Sequence, residues 1–127
     1  MSNENKTILI VDDEPDMGWA LERIFQGMGL LSAKAGSGEE ALRLVEQTSF
    51  RLAFVDAKLP DIEGIDLARR IRQVRPDLLV VLVSGYFYEH DEEVQGHVNE
   101  GLLFGFIGKP FLLDQVRKIV SSAERRM

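Results

Sequence analysis

Five polar residues that could do chemistry together are spread over almost the whole chain: Asp12, Asp13, Asp56, Ser84 and Lys109. They share a setting. Each follows a short aliphatic run: Asp12-Asp13 after residues 8–11, Asp56 after 52–55, Ser84 after 78–83, and Gly108-Lys109 after 104–107. Taken singly, Asp or Ser in such a place is an ordinary loop opener, because it caps helices and makes turns. As a set they are harder to dismiss. Two unit charges about 4 Å apart repel by roughly 4 kcal/mol at an effective dielectric of about 20. Three carboxylates brought to one crevice therefore either take up a proton or hold a cation. An all-oxygen set with few carboxylates suits Mg²⁺, which keeps several waters and shares phosphate oxygens. Lys109 adds a point charge for an anion and Ser84 a hydrogen bond. Together these groups describe phosphoryl transfer. The chain has no cysteine, and its two histidines, His90 and His97, are seven residues apart without a third ligand. Aspartate is then the available nucleophile, and an aspartyl phosphate the product.

Residues so far apart in sequence meet only if the intervening elements bring the run ends to one edge. The aliphatic runs are four to six residues long and solid, as expected of strands buried on both faces of a parallel sheet. A half-polar fifth run at 30–35 predicts an edge strand. Between the runs the spacing turns helical. Met17, Ala20, Leu21, Ile24, Phe25 and Met28 form one stripe, with Pro15 in the first turn and Gly29 as the stop. Ser37 and Glu40 make a capping-box pattern for a helix running to about Gln47. Ile65, Ala68 and Ile71 mark a third helix ending near Arg75-Pro76. Val94 and Val98 predict a fourth over about 89–100, weakly periodic. Leu113, Val116, Ile119, Val120 and Ala123 give a fifth. Five β-α units with short connections predict an α/β fold: one doubly wound, five-stranded parallel sheet with helices on both faces, flavodoxin-like, (βα)5. In such a sheet ligands bind outside the carboxyl ends of the strands, where the five polar residues fall.

Composition agrees and excludes several alternatives. The chain has 127 residues, 45% apolar and 28% charged, the profile of one globular domain. The longest apolar run is too short to span a membrane, and the polar N-terminus lacks a signal region, so a cytoplasmic location is expected. A net charge of −6 opposes a direct nucleic-acid platform.

Four motifs in order, ILIVDDEPD, LAFVDAKLPDIEG, LVSGY and FIGKPF, make the chain similar to the response-regulator receiver domains of two-component signalling. The resemblance covers about 6–123, the core of one expected domain over residues 1–127. It implies that Asp56 accepts a phosphoryl group from a sensor histidine kinase or phosphotransfer protein. Asp13 and Asp56 would bind Mg²⁺ directly with the backbone carbonyl of Lys58, and Asp12 mainly through a water. Lys109 and Ser84 would bind the phosphoryl group. Ser84 and Phe106 would form the switch, and Pro110 would follow a cis peptide. Pro60 and Gly64 match the turn after the acceptor strand. The domain would then be a signalling switch and not an enzyme, promoting only its own phosphorylation and dephosphorylation. Its output partner is not specified by the sequence.

The chain departs from the pattern at three places. Phe106 stands where tyrosine is frequent, so read-out would rest on packing without a hydroxyl. The 25 positions between Ser84 and Lys109 are a few more than usual, which predicts an atypical fourth helix and entry loop. The fifth-strand region also lacks the sequence common where winged-helix regulators dimerise. Lys58 and Tyr86 flank the expected site and are candidates for tuning phosphoryl lifetime. Arg69, Arg70, Arg72 and Arg75 read as an exposed face with charge compensation at a helix end, and Trp19 as a surface or half-buried residue. Two other readings share the fold. A haloacid-dehalogenase-like phosphohydrolase also uses an Asp nucleophile, but it needs a second Asp two residues on, where this chain has Glu14 or Lys58. A flavodoxin-like cofactor binder is opposed by the acidic crevice.

Overall fold

The computed structural model describes residues 7–85 and 92–125. The order is β1 (Thr7–Val11), α1 (Pro15–Gly27), β2 (Leu31–Ala35), α2 (Gly38–Gln47), β3 (Leu52–Asp56), α3 (Gly64–Val74), β4 (Leu79–Ser84), α4 (Glu92–Asn99), β5 (Gly105–Gly108) and α5 (Leu113–Arg125). All strand pairs are parallel, in the order β2-β1-β3-β4-β5. The predicted α/β sheet is thus present, with the half-polar β2 at one edge. Ser84 closes β4 and Asp56 closes β3, rather than following them. The fifth strand is displaced by one residue from its expected place, since Phe104 precedes it.

Side chains along each strand alternate between the two faces of the sheet. Leu9 and Val11 join Ala41, Val45, Leu67, Ile71 and Val94, so α2, α3 and α4 cover one face. Ile8 and Ile10 join Leu21, Phe25, Val116 and Val120, so α1 and α5 cover the other. The inner strands β1, β3 and β4 are buried on both faces, which is why they read as solid apolar runs. Gly29, with φ 75°, ends α1 as expected. Among the described residues, no helix is long and apolar enough to cross a membrane.

Two local expectations are corrected. At α2, the Ser37 hydroxyl accepts from the Glu40 N–H at 3.2 Å, but Glu40 Oε1 accepts from the Gly36 N–H, not from that of Ser37. Asp61 adds a distant cap, accepting from Gly38 N–H at 2.9 Å and Glu39 N–H at 3.0 Å. The arginines of α3 are more than an exposed face. Arg75 donates to the carbonyls of Val45 and Glu46 at the end of α2, at 2.9 and 3.2 Å. Arg72 Nη1 donates to Gly101 and Leu102 between α4 and β5, at 2.9 and 3.3 Å. Tyr86 and His90, and the expected helix start at Glu89, lie outside the described residues. Trp19 is 56% exposed, a surface residue.

Candidate phosphoryl-acceptor site

Parallel strands β1, β3, β4 and β5 all end at one edge of the sheet, and that edge holds the predicted residues. A cleft of ≈ 270 Å³ is lined there by Asp13, Glu14, Asp56, Lys58, Ser84 and Lys109, among others. Carboxylate oxygens of Asp12, Asp13 and Asp56 lie within 4.8 Å of one another. Asp56 and Ser84 are buried, and Asp13 is exposed.

Lys109 holds this cluster together. Its Nζ is 3.0 Å from Asp12 Oδ2, 3.3 Å from Asp56 Oδ2 and 3.5 Å from Glu14 Oε1. The other oxygen of Asp56, Oδ1, accepts from the Lys58 backbone N–H at 3.2 Å. Burial is the main reason that the Asp56 carboxyl sits above its ordinary range, and the Asp12 charge adds to it. The Lys58 N–H and Lys109 oppose the shift without cancelling it. Burial would depress the Lys109 ammonium, but its hydrogen bond to Asp12 and the charges of Asp12 and Asp56 outweigh that and raise it. The ammonium lies closer to Asp12 than to Asp56.

Backbone geometry fixes the frame. The Lys109 N–H donates to the Ser84 carbonyl and the Ala57 N–H to the Val83 carbonyl, both at 2.7 Å. The Lys109–Pro110 peptide is cis, as expected from the resemblance. Gly64 passes so close to β3 that a Cβ there would lie 2.3 Å from the Asp56 carbonyl oxygen. Phe106 lies on β5, half-buried against the face covered by α2, α3 and α4. All predicted site residues among the described ones gather at this end of the sheet or on the strand beside it. Glu14 was missed as a Lys109 partner, although its adjacency to Asp12-Asp13 was a usable signal. Its own N–H donates to Asp12 Oδ1 at 2.8 Å, which turns that carboxylate inward to Lys109.

The donor set fits a hard divalent cation. Three carboxylates offer oxygens only and lie within 4.8 Å of one another, a set that would suit Mg²⁺.

A family model described as the response regulator receiver domain matches residues 8–121. The response regulator protein PilR of Pseudomonas aeruginosa is 36% identical over 117 residues, 92% of this chain and 26% of that protein. Sporulation initiation phosphotransferase F of Bacillus subtilis is 29% identical over 116 residues, 91% of each chain. Response regulator protein TrrA from Thermotoga maritima, solved in complex with Mg(2+)-BeF, has a TM-score of 0.80 at 28% identity, covering 93% of this chain and 98% of that one. Several curated relatives are much longer, and the chain spans 12–26% of their length.

Proposed function

This chain belongs to the response regulator receiver domain family, whose members accept a phosphoryl group in two-component signalling; on that premise we propose that Asp56 is the acceptor. The observation that carries the assignment is the setting of its carboxylate. It is buried at the floor of the cleft, with one oxygen on the Lys58 N–H and the other on Lys109. Receiver domains exchange phosphoryl groups with histidine kinases or phosphotransfer proteins, and we assign such a donor here.

In the transfer, an Asp56 carboxylate oxygen forms a bond to phosphorus. The bond from phosphorus to the donor's imidazole nitrogen breaks, and that nitrogen keeps the electron pair. Burial and the neighbouring Asp12 make Asp56 less content with its charge, and so readier to share it with phosphorus. Lys109 already touches the acceptor and needs only a small movement to pair with a phosphoryl oxygen. The Ser84 hydroxyl supplies a second hydrogen bond at the adjacent strand end. Asp12, Asp13, Asp56 and the Lys58 carbonyl would hold Mg²⁺, which neutralises charge on the transferring group. Lys58 occupies the place where a haloacid-dehalogenase-type phosphatase needs an acidic group, so the switch reading is the one favoured.

Incubation with acetyl phosphate and Mg²⁺ tests the assignment. Intact-mass spectrometry should find one acid-labile phosphoryl group on the wild type and none on Asp56→Asn. Undiminished labelling of the Asn variant would place the nucleophile elsewhere.

A further inference from the structure

The loop that carries Lys58, residues 57–63, is built like a small clasp. The Gly64 N–H donates to the Ala57 carbonyl at 2.8 Å and the Leu59 N–H to the Ile62 carbonyl at 3.2 Å, with an isolated bridge between Lys58 and Glu63. One end of the clasp is fixed by the tight contact of Gly64 with the Asp56 backbone. Its tip is fixed by a different element. Both Asp61 carboxylate oxygens take N–H groups of the first turn of α2, those of Gly38 and Glu39. The approach is close: a Cβ on Gly38 would lie 2.4 Å from Ile62 Cγ2 and 3.4 Å from Asp61 Oδ1.

Helix α2 already has a local cap in Ser37, which satisfies the Glu40 N–H. The pair of bonds from Asp61 thus reaches 22 and 23 residues along the chain to the two preceding N–H groups. Charge-assisted bonds of this kind are about twice as strong as neutral ones, and the positive end of the helix favours the carboxylate. They also lower the Asp61 carboxyl below its ordinary range.

We propose that Asp61 is a positioning residue for phosphoryl transfer: by clamping the tip of loop 57–63 to the start of α2, it holds Lys58 at the acceptor. Two Lys58 groups depend on that loop. Its N–H bonds Asp56 Oδ1 directly, and its carbonyl faces the cation under the reading of Asp56 as acceptor, on which this inference rests. With the tip released, the loop samples wider arrangements, and both groups leave their productive places for part of the time. A misplacement of about 1 Å at a transfer site can already cost about a hundredfold in rate.

Wild type, Asp61→Ala, Asp61→Asn and Ser37→Ala should be compared under conditions where circular dichroism shows each folded. Ser37→Ala weakens the same helix end without touching the loop. Asp61→Ala should label with acetyl phosphate about tenfold more slowly than wild type and need several-fold more Mg²⁺. Asp61→Asn retains one acceptor oxygen and should fall between, while Ser37→Ala should label at the wild-type rate. Hydrogen exchange in the metal-free protein should show the Lys58 amide exchanging faster in Asp61→Ala and not in Ser37→Ala. Wild-type labelling and Lys58 exchange in Asp61→Ala would overturn the proposal, as would equal slowing in Ser37→Ala. Should Asp61→Ala fail to fold, Asp61→Asn carries the comparison. A wild type that takes no label, or an Asp56→Asn that does, defeats the acceptor reading instead; the exchange of Lys58 then still decides the clamp.

Discussion

Lys109 stands among three carboxylates that are not equivalent. Asp12 holds the ammonium at 3.0 Å, Asp56 at 3.3 Å, and Glu14 reaches it from the solvent side at 3.5 Å. Asp56 ionises against burial and against Asp12, so its carboxyl is raised in the folded protein. The consequence for stability has a definite sign. Below the unfolded value of about 3.8 both states are protonated, and Asp56 costs nothing. As pH rises from the unfolded value toward the folded one, the unfolded chain ionises before the native state, which loses stability over that window; above the folded value the loss is complete. Asp56→Asn should therefore be more stable than wild type at pH 7 and melt at a higher temperature. The two proteins should converge below the unfolded value, and thermal melts across pH would detect the opposite trend at once. Asp13 is a different case. It is exposed, and its carboxylate lies within 4.8 Å of those of Asp12 and Asp56, so its charge is available to a cation. Asp13→Ala should leave the melting temperature nearly unchanged and weaken Mg²⁺ binding by at least about tenfold. Equal affinity by calorimetry would remove Asp13 from the metal site.

Among the elements, the glycines separate close packing from mere helix punctuation. A Cβ at Gly64 would strike the Asp56 carbonyl oxygen at 2.3 Å and the Ala57 Cα at 2.9 Å, both backbone atoms that cannot swing aside. Gly64→Ala should cost about 1–3 kcal/mol and impair labelling, because the strain falls on the strand that carries Asp56. At Gly27 nothing lies within 4 Å and the backbone is helical, so Gly27→Ala should be neutral or stabilising by up to about 1 kcal/mol. Chemical denaturation of the two variants gives both signs. The strands and four of the helices were readable because their apolar spacing is local and strong. The candidate site was readable because four motifs fall at four strand ends. The ties between elements were not. Asp61 looks like one more polar loop residue, and Arg75 like one more charge at a helix end, until chain sections 22–30 residues apart meet. Helix α4 was weak in sequence because its apolar spacing has little periodicity.

At the scale of the molecule, the site at one edge must communicate with a surface that a partner can read. The register of β4 and β5 offers a route. Leu82 pairs with Phe106 and Ser84 with Gly108. Side chains two apart on a strand share a face, so Ser84, Leu82 and Phe106 point to the side covered by α2, α3 and α4. Gly108 leaves the position beside Ser84 without a side chain. With Asp56 as the proposed acceptor, a phosphoryl group there would add about −1.5 to −2 charge and would draw the Ser84 hydroxyl toward it. That movement would open space on the face where Phe106 already lies half-buried. Completing the burial of a Phe that starts half covered is worth about 1 kcal/mol, part of the 1.5–3 kcal/mol for the whole ring. A difference of that size changes a two-state ratio roughly five-fold, enough for a biased switch and not for an all-or-none one. Addition of Mg²⁺ and beryllofluoride should thus move the Phe106 ring resonances and raise amide protection in α4 and β5, with α1 and α2 little affected. Phe106→Tyr should start further outward, since its hydroxyl prefers water, and so show the larger change on activation. A Phe106 ring that is insensitive to the mimic, with α4 protection still rising, would show that the surface is switched by another path and that packing of this ring is not the read-out.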